Sequence, residues 1–140
     1  MALMKDADRE LAALAARQRQ VFTRAQAAAA GLTASDICYR VARGLLVPWG
    51  PHTLHFGGAA LDWRGQLLAG LLDLGPKALV SGRSAAGLHL LDGFGEGDLD
   101  YLLPRTLRNR TTLGLVTSIP SIEPLDRVTV QGALPSLPAR

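Results

Sequence analysis

Apolar positions recur at helical spacing near the start of the chain. Leu11, Leu14 and the alanines around them form one stripe over residues 8–18, with Arg9, Glu10, Arg17 and Arg19 to its sides, and this predicts a first helix. Val21 and Phe22 follow as a short β-tending step. Thr23 with Gln26 three residues on has the form of a capping box, in which the hydroxyl and the amide side chain satisfy N–H groups left free at a helix start. An alanine-rich second helix is therefore expected, stopped by Gly31. Thr33 and Asp36 repeat the box at once, with Leu32 and Ile37 placed to staple across it. A third helix is predicted over residues 34–43, closed by Gly44 in a left-handed conformation. Two short helices joined only by Gly31, Leu32 and Thr33 match the tight turn of a helix-turn-helix.

The period then changes. Residues 45–49 and 52–56 read as two strands around a Gly50-Pro51 turn, the hairpin of a wing. Gly57 and Gly58 read as a hinge. Residues 61–74 are almost continuously apolar at helical spacing and stop at Gly75-Pro76, so this helix must be largely buried. A strand over 77–80, a helix over 84–91 and strands near 98–103, 111–119 and 127–131 follow, separated by the Arg105–Arg110 loop and by residues 120–124. The fold class expected is α+β: an N-terminal winged helix-turn-helix, residues 1–57, followed by a small α+β domain, residues 58–140.

Advancing about 100° per residue along the third helix puts Ala34, Ile37, Cys38, Val41 and Ala42 on one arc and Ser35, Asp36, Tyr39, Arg40 and Arg43 on the other. The first arc is expected to face the core, which makes Cys38 a small core residue. The second offers two guanidinium groups, a phenol and a hydroxyl. Arginine can bond guanine edges bidentately in a major groove, and serine or tyrosine can hold phosphates. A solvated helix face is the plainer reading of such an arc; its place in a helix-turn-helix favours the nucleic-acid reading. Asp36 is occupied as a cap.

Charge adjusts this picture only modestly. The net charge is +3, and the excess lies in residues 1–60, with seven basic against four acidic side chains. That suits a module meeting phosphate through a few arginines. With 48% apolar and 19% charged residues the chain is a folded protein rather than a disordered one. One cysteine excludes an internal disulfide and a cysteine-based zinc site, and suits a reducing cytoplasm. Neither a secretory signal nor an apolar run of membrane-spanning length is present in the sequence.

Catalytic and cofactor chemistry finds little footing. His52 and His55 lack a third ligand at metal spacing. Ser81 and Ser84 sit at a strand-to-helix turn without a nucleophile-elbow motif and read as helix caps, with His89 inside the apolar helix. Gly93, Gly95 and Gly97 lack the Lys-Ser/Thr pair and following helix of a phosphate loop and read as a turn. Arg105, Arg108 and Arg110 read as a solvated hairpin loop or, should they lie beside the wing, as a second phosphate contact. No enzyme activity and no cofactor is expected.

The segments 13–32 (ALAARQRQVFTRAQAAAAGL), 37–46 (ICYRVARGLL) and 78–88 (ALVSGRSAAGL) resemble the AbiEi-type antitoxin family of bacterial type IV toxin-antitoxin systems. The likeness is spread over nearly the whole chain in many weak matches rather than one sharp motif. It implies an N-terminal winged helix that binds operator DNA of its own operon, and a following domain that acts against a nucleotidyltransferase toxin, functionally or by direct contact. By position, it implies recognition-helix roles for Ser35, Tyr39, Arg40 and Arg43 and a phosphate contact for Arg24. His52, on the wing, is a further candidate DNA contact. Two departures stand out: the wing reads VPWGPH without basic residues other than histidine, and Gly82 stands where the family usually has histidine. The terminal stretch, residues 132–140, stops where relatives continue into another helix, which reads as a truncation.

A DNA-binding repressor and antitoxin is thus the leading expectation, with double-stranded operator DNA as partner and a homodimer as the arrangement that paired half-sites favour. Two alternatives come from other classes. One is the DNA-binding module of a longer nuclease-like protein, although Lys5 and Lys77 are the only lysines and neither stands in a metal-nuclease context. The other is a protein-interaction module with Trp49 exposed on the wing as an aromatic anchor.

Overall fold

The structure is a computed structural model and describes residues 2–91, 93–107, 109–119, 128–130 and 134–136. Its first part is built as the capping signals require. Helix α1 spans Ala2–Arg17, strand β1 Val21–Thr23, helix α2 Arg24–Ala30 and helix α3 Ala34–Ala42. Both capping boxes form. The Thr23 hydroxyl accepts from the Gln26 amide at 3.0 Å, and the Thr23 amide donates back to the Gln26 side chain at 2.9 Å. Thr33 and Asp36 repeat the exchange at 3.1 and 2.9 Å.

Glycine ends both helices for the reason expected. Gly31, at φ +116°, lets the amides of Gly31 and Leu32 turn back onto the carbonyls of Ala28 and Ala27. Gly44, at φ +75°, lets its own amide and that of Leu45 reach Val41 and Arg40. Left-handed backbone is open to glycine without the Cβ clash other residues meet.

The hairpin follows as strands β2, Leu46–Pro48, and β3, Thr53–Phe56. β3 is central: it pairs antiparallel with β1 on one side, Phe22 opposite Leu54, and with β2 on the other, Val47 opposite His55. The small sheet is covered on both faces. Phe22 and Leu54 point to α1, α2 and α3 and join Leu11, Ala15, Leu32, Ile37 and Leu46 in one core. Val21, the neighbour of Phe22, points the other way into a second core. Strand alternation thus feeds two cores from one three-residue strand. Gly57 does more than bend the chain: a Cβ there would overlap the Gly44 carbonyl, so the end of β3 passes tightly against the end of α3.

Helix α4, Trp63–Leu74, begins at Asp62, whose carboxylate accepts from the Gly65 amide at 2.7 Å. It is buried on nearly every side, between β1 and β3 on one flank and a larger sheet on the other. That sheet has the order β6-β5-β4-β8-β7, built from β4 Leu79–Val80, β5 Asp100–Pro104, β6 Leu115–Ile119, β7 Val128–Val130 and β8 Leu134–Ser136. Gly70 marks a close approach to it, since a Cβ there would overlap the Tyr101 hydroxyl. The fold class is α+β, as the sequence predicts.

Several local expectations are corrected. Helix α5 spans Gly82–Leu88, starting before Ser84, and His89 caps its end rather than lying within it. Ser81 makes no side-chain cap bond; Asp100 takes that part, accepting from the Arg83 amide at 3.1 Å. The Ser84 hydroxyl instead donates to the Asp98 carbonyl at 2.6 Å and accepts from the Asp100 amide at 2.8 Å, tying α5 to β5. β5 and β6 pair in parallel, so the Arg105–Arg110 segment is a crossover, opened by a short 3-10 turn, Arg105–Leu107, and not a hairpin loop. Strand β8 was not expected, because Pro135 and the surrounding residues read as a chain end. Arg108, residues 120–124, the ends of the strand expected over 127–131 and most of the terminal stretch lie outside the described residues.

Candidate nucleic-acid interface

The α2-turn-α3 pair presents one face of α3 to solvent, and burial shows which. Ile37 is buried and Val41 half-buried against the first core, while Ala34, Ser35, Cys38, Tyr39, Ala42 and Arg43 are exposed. Cys38 is therefore a surface thiol, contrary to the core role expected of it. The small residues at positions 34, 38 and 42 draw the apolar arc away from the direction that packs inward. Burial follows side-chain volume, and Ile37 and Val41 outweigh alanine and cysteine in setting the inward direction.

Arg40 is the second correction. Its side chain is 13% exposed and ion-pairs with Asp8 of α1, away from the open face. Its charge also contributes to holding the Asp36 carboxyl below the ordinary 3.8, after the larger effects of the Thr33 backbone amide and side chain. Arg40 thus sits among carboxylates and fixes α3 on α1. Arg43, one turn farther round, stays exposed and lies over the Tyr39 ring, 5.5 Å from its centre. A cation over an aromatic face at i, i+4 spacing holds both side chains extended along the helix surface. The exposed arc accordingly carries a hydroxyl at Ser35, a thiol at Cys38 and the stacked Tyr39–Arg43 pair.

Arg24 and His52 lie at the edge of this module. Arg24 is the first residue of α2, half-buried, and its backbone amide donates to the His52 carbonyl at 2.9 Å, which joins the start of α2 to the wing turn. The turn itself is held from below. Asp73 of α4, 3% exposed, accepts from the His52 amide at 2.8 Å, from the Thr53 hydroxyl at 2.5 Å and, on its other oxygen, from the Thr112 hydroxyl at 2.7 Å. Thr53 is fully buried and also lies 3.1 Å from the Ala69 carbonyl. A Cβ at Gly50 would overlap the Asp73 carboxylate, so glycine is required for the turn to descend onto it. Trp49 is half-buried against the second core rather than projecting as an anchor. The His52 ring is exposed; His55 keeps its Nδ1 2.9 Å from the Phe56 carbonyl.

Sequence reasoning missed Asp73. An acid inside an apolar helix was the available signal, because a buried carboxylate needs donors from elsewhere in the fold. Among the described residues, no helix is long and apolar enough to cross a membrane, and no group of three or more His, Cys, Asp or Glu is placed to hold a metal ion.

Residues 9–50 match a family described as "Transcriptional regulator, AbiEi antitoxin". The matched region runs from α1 through the helix-turn-helix and β2 to the wing turn, and it contains the first two of the three segments that carry the resemblance in the sequence. The third segment, 78–88, lies beyond it. No curated protein matches the chain.

Proposed function

We infer that this chain is a DNA-binding transcriptional repressor and antitoxin, which binds operator DNA of its own toxin-antitoxin operon in the cytoplasm and counteracts a nucleotidyltransferase toxin. In this reading residues 1–57 are the DNA-binding domain and residues 58–140 the antitoxin domain, and the protein meets paired half-sites as a homodimer. The observation that carries it is the exposed face of α3, in a helix-turn-helix whose sequence matches a regulator family. In such motifs the second helix lies in the major groove and the first crosses the phosphate backbone. Ser35, Tyr39 and Arg43 are the reading residues: the guanidinium suits a guanine edge, and the two hydroxyl groups suit phosphate or base contacts. Arg24 and His52 flank them as backbone contacts. Arg40 positions α3 from within.

The test is a titration of the protein against the duplex upstream of its own gene and a scrambled duplex of equal length, at several salt concentrations. The expected result is tighter binding to the upstream duplex, by about a thousandfold or more at physiological salt, with affinity falling as salt rises. Equal, negligible affinity for both would contradict the reading. Expression of the chain beside the neighbouring toxin should restore growth; unchanged toxicity would remove the antitoxin role.

A further inference from the structure

The wing turn, the start of α2 and the crossover between β5 and β6 meet around one cavity. Its volume is about 390 Å³, and its lining includes Arg24, His52, Asp73 and Arg110. Arg24 comes from the helix-turn-helix, His52 from the wing, and Arg110 from the larger sheet's crossover. Arg110 is exposed and anchored by one bond, an Nη1 donating to the Leu74 carbonyl at 2.9 Å at the end of α4. Among the described residues its remaining guanidinium donors have no other partner. Asp73 brings a negative charge to the same cavity, but it is recessed and its two oxygens already accept from His52, Thr53 and Thr112. Neither Arg24 nor Arg110 forms an ion pair with a carboxylate among the described residues.

We propose that Arg24, His52 and Arg110 form a composite seat for a backbone phosphate of the bound duplex, so that the second half of the chain contributes directly to DNA affinity. This rests on the DNA-binding reading above. Two guanidinium-bearing side chains and an imidazole lining one cavity suit a phosphate diester, which guanidinium bonds in fork geometry. The first helix of a helix-turn-helix crosses the phosphate backbone, and Arg24 begins that helix, so the cavity mouth lies where a phosphate passes. Arg110 thereby takes the second of the two roles that the sequence leaves open for Arg105, Arg108 and Arg110, a phosphate contact rather than part of a solvated loop.

The test compares the full-length protein with Arg110→Gln, which keeps a donor for the Leu74 carbonyl but removes the charge, and with Arg110→Lys, which keeps the charge. Binding is followed on both the upstream and scrambled duplexes across a salt series, with thermal melting as the folding control. Arg110→Gln should lose about tenfold in affinity on both duplexes alike and lower the salt slope by about one, and Arg110→Lys should recover most of both. An unchanged affinity and slope in Arg110→Gln would overturn the seat, as would a loss confined to the upstream duplex. A changed affinity with an unaltered slope would also overturn it, because loss of a phosphate contact must lower the slope. Failure of the unsubstituted protein to bind either duplex would instead reject the DNA-binding reading itself.

Discussion

Arg40 and Arg43 stand three residues apart on α3, and their surroundings give them different roles. Arg40 is enclosed by Asp8 and influenced by Asp36, so its removal acts on the fold: Arg40→Ala and Asp8→Ala should each lower stability by about 1 kcal/mol, a shift of a few degrees in melting midpoint, with the double variant no worse than either alone. Additive losses would show that the pair contributes nothing as a pair. Tyr101 is a second residue whose setting decides its behaviour. Burial, then the charges of Asp73 and Asp100, push its hydroxyl well above the ordinary 10.0. A raised folded value means stability that is complete below pH 10 and declines as pH rises beyond it. Tyr101→Phe should cost little at neutral pH, since its bonds to the Gln66 and Leu67 carbonyls are long, 3.3 and 3.2 Å, and should flatten the alkaline decline in a pH series of melts. For Asp36 the sign is opposite: its depressed value makes the cap's contribution present above pH 3.8 and lost as acid protonates it. The exposed Tyr39 and Arg43 were legible from helical spacing, whereas Arg40 was not. Its partner Asp8 is thirty-two residues away, and no local periodicity reports a long-range ion pair.

At the level of elements, the boundaries most legible in the sequence were those set by local chemistry. Thr23 with Gln26, Thr33 with Asp36, and the left-handed Gly31 and Gly44 each act within a few residues of one another, so the sequence contains both partners. Strand pairing does not have that property. The parallel union of β5 and β6 and the insertion of β8 beside β4 depend on contacts between distant segments, and they were not foreseen. The wing turn shows the same divide: its two strands were evident, but its attachment to Asp73 was not. Asp73→Ala should destabilise the protein by about 2 kcal/mol, because it removes the acceptor shared by the part-buried His52 amide, the Thr53 hydroxyl and the Thr112 hydroxyl, of which Thr53 alone keeps another acceptor, the Ala69 carbonyl. Hydrogen exchange at the His52 amide should accelerate more than at the Phe22 amide, within the first core. Equal acceleration at both would show global loosening instead of release of the turn. Gly70→Ala should cost about 1–3 kcal/mol by forcing α4 away from Tyr101, again readable by thermal melting.

Over the whole molecule, α4 acts as a shared wall. Val21 and Thr53 of the small sheet bury against it on one side, and Tyr101 and Leu103 of the larger sheet close on the other. A fragment of residues 1–57 would leave that face of the small sheet in water, so it should melt well below the full chain, and the full chain should unfold in one transition rather than two. Two separated transitions in calorimetry would show that the halves stand independently. The same coupling sets the form of the proposed interface: α1 and Arg40 hold α3, and α4 supports the wing turn through Asp73.

On this proposal the exposed arc of α3 is the surface that reads DNA. It is tested most directly by measuring the affinity of the protein and of Arg43→Ala for the upstream duplex and for versions of it changed at single base pairs. Arg43→Ala should lose about 1–3 kcal/mol on the upstream duplex and become indifferent to one base pair that the unsubstituted protein discriminates. A variant that keeps both full affinity and the full discrimination profile would contradict it.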